Sequence, residues 1–446
     1  MKLRFAKWVI IKVAVFLVFY FWDVALSSSV HTIKHQVLSI EHIQPAPFII
    51  SNELSDFDDF EDLESGISQL LRKFDIKGAG VAVAKDGKLV FAKGLGYADA
   101  EAGLPVEPGH MFRIASISKL ITATTIMSMK EQGMLNLDDR VFGPEGILND
   151  SVYLNYRDPR VENITVWHLL NHSSGWNRRF GDHMFMPHII SRATDAPLPV
   201  QVPDIIQFAM QRRLHFTPGS GTSYSNLGYA ILGEIIEKIS GRSYEQYVRE
   251  EILYPVGIQE MRIGRNLETD RFENEVKYYE QTNAIKSSAF YDATRQVPLS
   301  YGGNDIETLG AAGGWIASPA ELLKFVVAID NKSGVPAILS DESIEMMTGI
   351  RGSGGQPIGW SATDKRDNWR RTGTFAGTSA LVVRQGNGLS WAVFFNSSTY
   401  RGTSLSREIV REMQTALNKI ENWPRHDLFY YFGARPYLYT DNTGLE

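Results

Sequence analysis

The sequence contains no cysteine among its 446 residues. This absence excludes disulfide bonds, thiolate metal sites and a cysteine nucleophile. The chain also lacks a long basic tract, and its formal net charge is −6, which argues against nucleic acid as a partner. Internal repeats and low-complexity tracts are absent as well. Since 43% of the residues are hydrophobic, the chain is long and apolar enough to bury a large core.

The N-terminus carries the features of a targeting segment. Basic residues within positions 2–7 precede an apolar block, Trp8–Trp22, that only Lys12 interrupts. This order is typical of a signal peptide, and the block is shorter than the ~20 residues of a comfortable membrane span. We therefore interpret residues 1–26 as a signal peptide or an N-terminal membrane anchor. Either interpretation predicts an exported protein with a periplasmic or other extracytoplasmic location.

Two strand pairs, one near each end of the chain, predict the central sheet. The first pair flanks the Asp-Gly turn at residues 86–87, which needs positive φ. The second pair, Ser379–Arg384 and Leu389–Asn396, flanks a Gly-Asn-Gly turn. Amphipathic helical patterns begin near Phe57 and Leu405, beside each pair. The sequence thus predicts an α/β (α+β) fold, in which an antiparallel sheet built from both chain ends is flanked by helices.

These patterns divide the chain into a linker at 27–56, one domain at 57–420 and an aromatic tail at 421–446. The middle of the domain is mainly helical in pattern, which predicts an inserted helical subdomain. Two long stretches, Trp176–Val202 and Glu268–Asp305, show no clear period and are either lids or substrate walls, or plain surface excursions. We expect the tail to pack back onto the domain or to contact a partner, because it is rich in aromatic residues.

One helical pattern carries a candidate nucleophile. Ser116 and Lys119 stand three residues apart at the start of an apolar helix that stops at Gly133, so both side chains lie on one helix face. A serine at a helix start lies near unpaired backbone N–H groups, which can hold an oxyanion. A lysine whose pKa is lowered by burial can take the proton of the serine. The alternative is a capping serine followed by a solvated lysine.

A second candidate motif places Tyr224 and Asn226 just before another helix, after a Pro-Gly turn. A phenol beside a lysine ammonium loses its proton more easily, so Tyr224 could act as general base for Ser116 and later protonate the leaving group. The Asn226 amide both donates and accepts, which suits orienting Lys119 and a substrate amide. The alternative is an N-capping loop with a core tyrosine.

A third candidate site, Arg371-Thr372-Gly373-Thr374, opens the late strand pair. A glycine on a strand beside an active site lets a substrate backbone approach closely. A basic residue at this place could hold a substrate carboxylate or lower the pKa of a neighbour. The alternative is the entry to an edge strand with a solvated arginine.

The chain resembles the β-lactamase-related serine hydrolases of the class C type, because the three motifs occur in the order that is typical of that family. The motifs are Phe112–Lys119, Tyr224–Asn226 and Arg371–Gly373. That family includes β-lactamases, D-Ala-D-Ala carboxypeptidases and esterases. The resemblance extends from about residue 60 to about residue 420. It includes further stretches at Ile164–Trp176, Phe216–Gly219, Gly228–Gly233, Ala312–Leu322 and Gly359-Trp360.

The resemblance implies a mechanism in which Ser116 attacks a carbonyl carbon and forms an acyl-enzyme that water then hydrolyses. Lys119 and Tyr224 would handle the protons, and Asn226 would position Lys119 and the substrate. The implied partner is a small-molecule, peptide or ester substrate, and the resemblance implies neither a metal nor an organic cofactor.

The resemblance also implies roles for the third site. The backbone N–H groups of Ser116 and Thr374 would form the oxyanion hole, with Arg371 and Thr372 on the side of the substrate carboxylate. Family members often carry lysine or histidine where this chain has Arg371. Because arginine stays charged, it cannot donate a proton usefully, but it can clamp an anion. This departure bears on substrate specificity more than on hydrolysis itself.

Three alternatives to a serine hydrolase fit the sequence less well. His168 and His172 stand four residues apart, but Leu169 replaces the glutamate of a His-Glu-x-x-His zinc motif, so no metal is predicted. A catalytically silent binding or scaffold protein would be expected to have lost at least one of the motif residues, and all are present. A sensor acylated by a β-lactam is weaker still, because a single apparent span precedes the domain and no cytoplasmic domain is recognised.

Overall fold

The computed structural model describes residues 50–331, 337–349, 357–398 and 402–431. The strands within these ranges are β1 (Gly78–Lys85), β2 (Lys88–Asp99), β3 (Leu104–Pro105), β4 (Phe112–Arg113), β5 (Arg262–Ile263), β6 (Ser287–Ala289), β7 (Asp292–Val297), β8 (Trp315–Ala317), β9 (Ala362–Thr363), β10 (Trp369–Phe375), β11 (Thr378–Arg384) and β12 (Leu389–Phe395). Seven of them form one sheet in the order β3-β2-β1-β12-β11-β10-β9. Because β1 pairs with β12, the predicted antiparallel sheet built from both chain ends is confirmed.

Tight turns join the neighbouring strands of this sheet. Asp86 and Gly87 have φ values of 49° and 81°, so the turn between β1 and β2 is left-handed as predicted. Gly388, with φ of 82°, closes the turn between β11 and β12. Strand β2 is the longer member of the first pair and continues through Gly96 and Tyr97 to Asp99.

Helices cover both faces of the sheet. Those within the described residues are α1 (Glu61–Phe74), α2 (Ser118–Glu131), α3 (Val166–Leu170), α4 (Pro187–Thr194), α5 (Val202–Met210), α6 (Asn226–Ser240), α7 (Tyr244–Val248), α8 (Ile306–Gly313), α9 (Pro319–Asp330), α10 (Asp341–Thr348) and α11 (Gly402–Leu417). Val83 and Trp391 pack with α1 and α11 on one face. Alternate residues such as Ala82 and Phe394 face a larger core that includes α2 and α9, as strand geometry requires. Helices α2 to α7 follow β4, where the helical subdomain is predicted.

Both stretches without a clear period contain regular structure. Helix α4 lies within Trp176–Val202, and the hairpin of β6 and β7 lies within Glu268–Asp305. The hairpin escapes prediction because Phe290 and Tyr291, which join its strands, carry no glycine or asparagine turn signal. Both stretches therefore contain regular secondary structure, although their sequence shows no clear period.

The first part of the aromatic tail packs on the domain, which agrees with one of the two expectations for it. Leu428 and Phe429 are buried, and the Asp427 carboxylate accepts a hydrogen bond from the backbone N–H of Leu89 at 3.0 Å. Residues 432–446 and the targeting segment at 1–26 lie outside the described residues. In the described part of the chain, no helix is both long enough and apolar enough to cross a bilayer.

Candidate active site

Ser116 lies at the entrance of α2. A 3₁₀ turn spans Ala115–Ile117, and α2 begins directly after it. The chain bends sharply at Ala115, whose φ of 48° is a left-handed value that is uncommon for a residue with a Cβ. Every residue from Ser118 to Met129 is buried, whereas the side chain of Ser116 is partly exposed. Ser116 is therefore the residue at this helix entrance that a substrate can reach.

Tyr224 reaches Ser116 from the entrance of a second helix, α6. Its Oη donates a hydrogen bond to Oγ of Ser116 at 2.6 Å. The next residue, Ser225, caps α6 by accepting from the N–H of Gly228 at 2.9 Å. The N–H of Ser225 donates to Nδ1 of buried His172 at 3.2 Å. These bonds hold the backbone that follows Tyr224, so the phenol is aimed at the serine hydroxyl.

Lys119 is fully buried near the start of α2. Its Nζ donates to Oδ1 of Asn226 at 2.6 Å and to the carbonyl oxygen of Ala312 at 2.5 Å. The same Nζ lies 4.7 Å from the ring centroid of Tyr224. The ammonium group therefore faces Tyr224 and Asn226, whereas Tyr224 is the hydrogen-bond partner of the Ser116 hydroxyl.

Arg371 projects from β10 into the interior of the site. Its Nε donates to the carbonyl oxygen of Ser116 at 2.8 Å, and its Nη2 donates to Oη of Tyr224 at 3.4 Å. Only 3% of the residue is exposed. The guanidinium therefore donates its hydrogen bonds to the backbone of Ser116 and to the phenol of Tyr224.

The close approach of β10 to Ser116 depends on Gly373. A Cβ at this position would lie 2.0 Å from the carbonyl oxygen of Ile114 and 3.1 Å from the backbone nitrogen of Ser116. Any side chain would push the strand away from the backbone of Ser116. From Arg371 to Phe375, the described pairing of β10 is with β11 alone, so its other backbone edge is available beside Ser116.

Thr372 and Thr374 flank Gly373 on the strand. Side chains alternate along a strand, so both threonine side chains point to the face opposite that of Arg371. Thr374 is exposed and Thr372 is partly exposed. The structure therefore brings Ser116, Lys119, Tyr224, Asn226 and Arg371 together through their side chains, and β10 brings the threonine backbones alongside.

Asp182 joins the site although sequence analysis does not select it. Its Oδ2 accepts a hydrogen bond from Nδ2 of Asn226 at 2.7 Å. No local pattern marks this residue, since its partner is 44 positions away in the chain. It lies in the Trp176–Val202 stretch, and the only available signal is the length of that stretch. Arg178 of the same stretch is exposed, and its Cζ lies 5.8 Å from the ring centroid of Tyr224.

The charges of the site act on both proton-carrying groups. Burial alone would raise the pKa of Tyr224, but the positive charges of Lys119 and Arg371 outweigh it and bring that pKa below 10.0. Burial lowers the pKa of Lys119, and the charge of Arg371 lowers it further, while Tyr224 and Asp182 oppose this shift. The environment therefore makes both the Tyr224 phenol and the Lys119 ammonium give up their protons more easily than in water.

The two histidines have structural partners. Burial, with the charges of Arg371 and Lys119, lowers the pKa of His172 well below 6.5, so its ring is neutral and accepts from the loop that carries Tyr224. Nδ1 of His168 accepts from the N–H of Thr165 at 3.2 Å within the capping box of α3. Among the residues that the structure describes, no group of three or more histidine, aspartate or glutamate side chains could hold a metal ion.

Comparison with known proteins defines the class to which this fold and this site belong. Residues 63–411 match the Beta-lactamase family, so the chain belongs to that family. Among curated proteins, Penicillin-binding protein 4* of Bacillus subtilis (strain 168) is 31% identical over 197 residues, which make up 44% of this chain. The chain spans 40% of the length of that relative.

Solved structures agree with this assignment. The octameric penicillin-binding protein homologue from Pyrococcus abyssi matches with a TM-score of 0.61 and 28% identity, over 84% of this chain and 80% of that one. The D-amino acid amidase from Ochrobactrum anthropi SV3 matches with a TM-score of 0.62 over 81% of this chain and 100% of that one. At 20% identity the amidase shows a shared fold alone. The predicted fold class is thus confirmed.

Proposed function

We propose that this chain is a serine hydrolase that cleaves an amide or ester bond through an acyl-enzyme on Ser116. The observation that carries the proposal is the contact of 2.6 Å between Oη of Tyr224 and Oγ of Ser116. A serine hydroxyl is a weak nucleophile until a neighbouring base takes its proton. Tyr224 has both the position and the lowered pKa for this role. Membership of the Beta-lactamase family supports hydrolysis as the reaction class.

The proton path runs between Ser116 and Tyr224. In its phenolate form, Tyr224 accepts the proton of the Ser116 hydroxyl as Oγ attacks the carbonyl carbon. The phenol then donates this proton to the departing amine or alcohol, which leaves the acyl group on Ser116. Water attacks the acyl-enzyme in the second half of the reaction, and its proton passes through Tyr224 back to Oγ. Lys119 and Arg371 stabilise the phenolate by their charge.

The oxyanion of each tetrahedral intermediate would bind the backbone N–H groups of Ser116 and Thr374. Gly373 supports this assignment, because its missing side chain lets β10 lie against the backbone of Ser116. The open edge of β10 also offers backbone groups to an extended substrate.

The carboxylate side of the substrate needs a revised assignment. Arg371 is nearly buried and already donates to Ser116 and Tyr224, so it is poorly placed for a substrate carboxylate. We assign that role to Arg178, which is exposed beside the ring of Tyr224, together with the partly exposed Thr372. Arg371 then serves the proton transfer.

The candidate substrates are D-amino-acid peptides, small esters and, as poor or incidental substrates, β-lactams. The names of the relatives point in the same direction, since they include a penicillin-binding protein and a D-amino acid amidase. We further propose that the chain is exported, because basic residues precede the apolar block Trp8–Trp22.

Active-site labelling tests this proposal. The purified full-length chain is incubated with a fluorophosphonate and, separately, with a fluorescent penicillin, and the adduct is mapped by mass spectrometry. We expect a fluorophosphonate adduct on Ser116 that Ser116→Ala abolishes and that Ser118→Ala retains, because Ser118 is buried. Labelling by fluorophosphonate alone indicates an esterase or amidase. No adduct on Ser116 with either probe would overturn the proposal.

A further inference from the structure

Asp182 makes two separate hydrogen bonds with its two carboxylate oxygens. Oδ2 accepts from Nδ2 of Asn226 at 2.7 Å, and Oδ1 accepts from the backbone N–H of Met184 at 3.2 Å. The second bond caps the short 3₁₀ turn His183–Phe185. We call residues 176–202 the Asp182 segment. The carboxylate of Asp182 therefore links the backbone of this segment to the Asn226 side chain of the candidate site.

The bond from Asn226 to Asp182 decides which end of the Asn226 amide faces Lys119. An asparagine amide has nearly the same shape in its two orientations, and hydrogen-bond partners choose between them. The carboxylate of Asp182 can only accept, so it requires Nδ2 on its side. Oδ1 then points to Nζ of Lys119, at 2.6 Å. In the reverse orientation, two donors would face each other at Lys119 and two acceptors at Asp182.

We propose that Asp182 is a positioning residue of the proposed hydrolase, which fixes the Asn226 amide and through it the Lys119 ammonium that faces Tyr224. The inference rests on the proposed function, since it concerns the same site. The role belongs to Asp182 and not to the rest of its segment, although Asp182 lies far from Ser116 in sequence.

The charge of Asp182 adds an effect that a neutral acceptor could not supply. The titratable and charged groups that face Lys119 are Tyr224, Tyr229, Arg371, His172 and Asp182. Among these, Arg371 is a permanent cation and His172 is neutral, so Asp182 is the carboxylate that opposes the loss of the proton from Lys119. Its removal should let Lys119 lose its proton at lower pH, and the coupled titration of the Lys119–Tyr224 pair shifts with it.

The test compares three variants of the full-length chain. Asp182→Asn removes the charge and leaves a single acceptor oxygen, so only one of the two hydrogen bonds can persist. Asp182→Glu restores the charge. Asp195→Asn is the matched control, because it removes the same charge from an exposed position of the same segment, with φ of 55° that asparagine also adopts.

The readouts are the second-order rate of fluorophosphonate labelling at Ser116 as a function of pH and the midpoint of thermal unfolding. For Asp182→Asn we expect a labelling rate lower by roughly tenfold or more, because misplacement of catalytic groups by ~1 Å can cost ~10²-fold. The labelling rate should change with pH in the range where the Lys119–Tyr224 pair titrates. We expect this part of the pH profile to move to lower pH in Asp182→Asn. Asp182→Glu should return this part of the profile towards its original position, and Asp195→Asn should match the unmodified protein.

The outcomes separate this inference from the proposed function. If the unmodified chain is labelled at Ser116 while Asp182→Asn shows the same rate and the same pH profile, the inference is wrong and the hydrolase stands. A third outcome is that Asp182→Asn is labelled more slowly and unfolds at a lower temperature, while its pH profile does not shift. Asp182 would then act only as the cap of its turn, and the inference would be wrong. Failure of the unmodified chain to be labelled overturns the proposed function itself.

Discussion

Oη of Tyr224 lies 2.6 Å from Oγ of Ser116, although 108 positions separate the two residues in the chain. Each residue stands at the entrance of a helix, Ser116 before α2 and Tyr224 before α6. The two helices are packed within one core, so their entrances are held in a fixed relation. The contact is therefore built into the fold before any substrate binds, which is the condition for efficient proton transfer.

Exchanging Tyr224 for phenylalanine tests this contact. Tyr224→Phe removes the hydroxyl that donates to Oγ of Ser116, and we expect the rate of labelling or hydrolysis to fall by roughly 10²–10⁴-fold. The thermal midpoint should change little, because the residue remains partly exposed at the site. Retention of the full rate would contradict the assignment of Tyr224 as general base.

Tyr229→Phe serves as the matched control for that exchange. Oη of Tyr229 donates to the carbonyl oxygen of Leu170 at 2.9 Å and accepts from the N–H of Gly359 at 3.3 Å, fully inside the core. Its loss leaves buried partners unsatisfied, at a cost of about 1–3 kcal/mol in the free energy of unfolding. We expect this variant to lose stability and to keep most of its activity, which is the reverse of Tyr224→Phe.

The sequence locates Ser116, Lys119, Tyr224 and Asn226 because each stands in a local pattern at a predicted helix start. The hairpin at residues 86–87 is predicted for a similar reason, since an Asp-Gly turn determines how its strands pair. Local patterns of this kind are enough to predict the fold class and most residues of the candidate site.

What the sequence leaves out depends on contacts between distant residues. Asp182 has no motif of its own, and its role follows from a partner in another loop. Arg371 is recognisable as a site residue, but its orientation towards the carbonyl oxygen of Ser116 follows from the approach of β10, which no local pattern encodes. The burial of Arg371 and its contact with Tyr224 are the reasons for proposing that it acts on the phenol and not on a substrate carboxylate.

Removing the charge of Arg371 should shift the pH dependence of activity. The guanidinium donates to Tyr224 and contributes to the lowered pKa of its phenol. In Arg371→Met the phenolate loses this cation, so the pKa of Tyr224 rises and the acidic limb of the pH–rate profile moves to higher pH. Arg371→Lys keeps a positive charge and should move the limb less. Profiles of fluorophosphonate labelling measure both variants, and identical limbs in all three proteins would sink the assignment.

Gly373→Ala tests the close approach of β10 to the nucleophile. The added Cβ would lie 2.0 Å from the carbonyl oxygen of Ile114, which is backbone and cannot move aside as a flexible side chain can. We expect a loss of about 1–3 kcal/mol in the free energy of unfolding, together with a large loss of activity. The control is Gly66→Ala on α1, where the nearest atom lies 3.5 Å away. That exchange should raise stability by up to about 1 kcal/mol and leave activity unchanged. Equal effects of the two variants would contradict the role of Gly373.

Aromatic side chains at the mouth of the site predict a preference for apolar substrates. Phe375 directly follows Thr374, and its ring centroid lies 6.2 Å from that of Phe185 in the Asp182 segment. Phe185 is 39% exposed, so a substrate group can pack against it. For Phe185→Ala we expect kcat/KM to fall about tenfold for a bulky apolar acyl ester and to change little for an acetyl ester.

Phe57→Ala is the matched control for that preference. Phe57 has a similar exposure of 36%, but its ring stacks on His426 of the C-terminal tail at 5.0 Å and not on Phe375. Its loss should leave the ratio of kcat/KM between bulky and acetyl esters unchanged. Because the comparison uses a ratio of two substrates on one protein, a general loss of folded enzyme cancels. An unchanged ratio in Phe185→Ala would therefore mean that substrates bind away from the Phe185–Phe375 pair, along the open edge of β10.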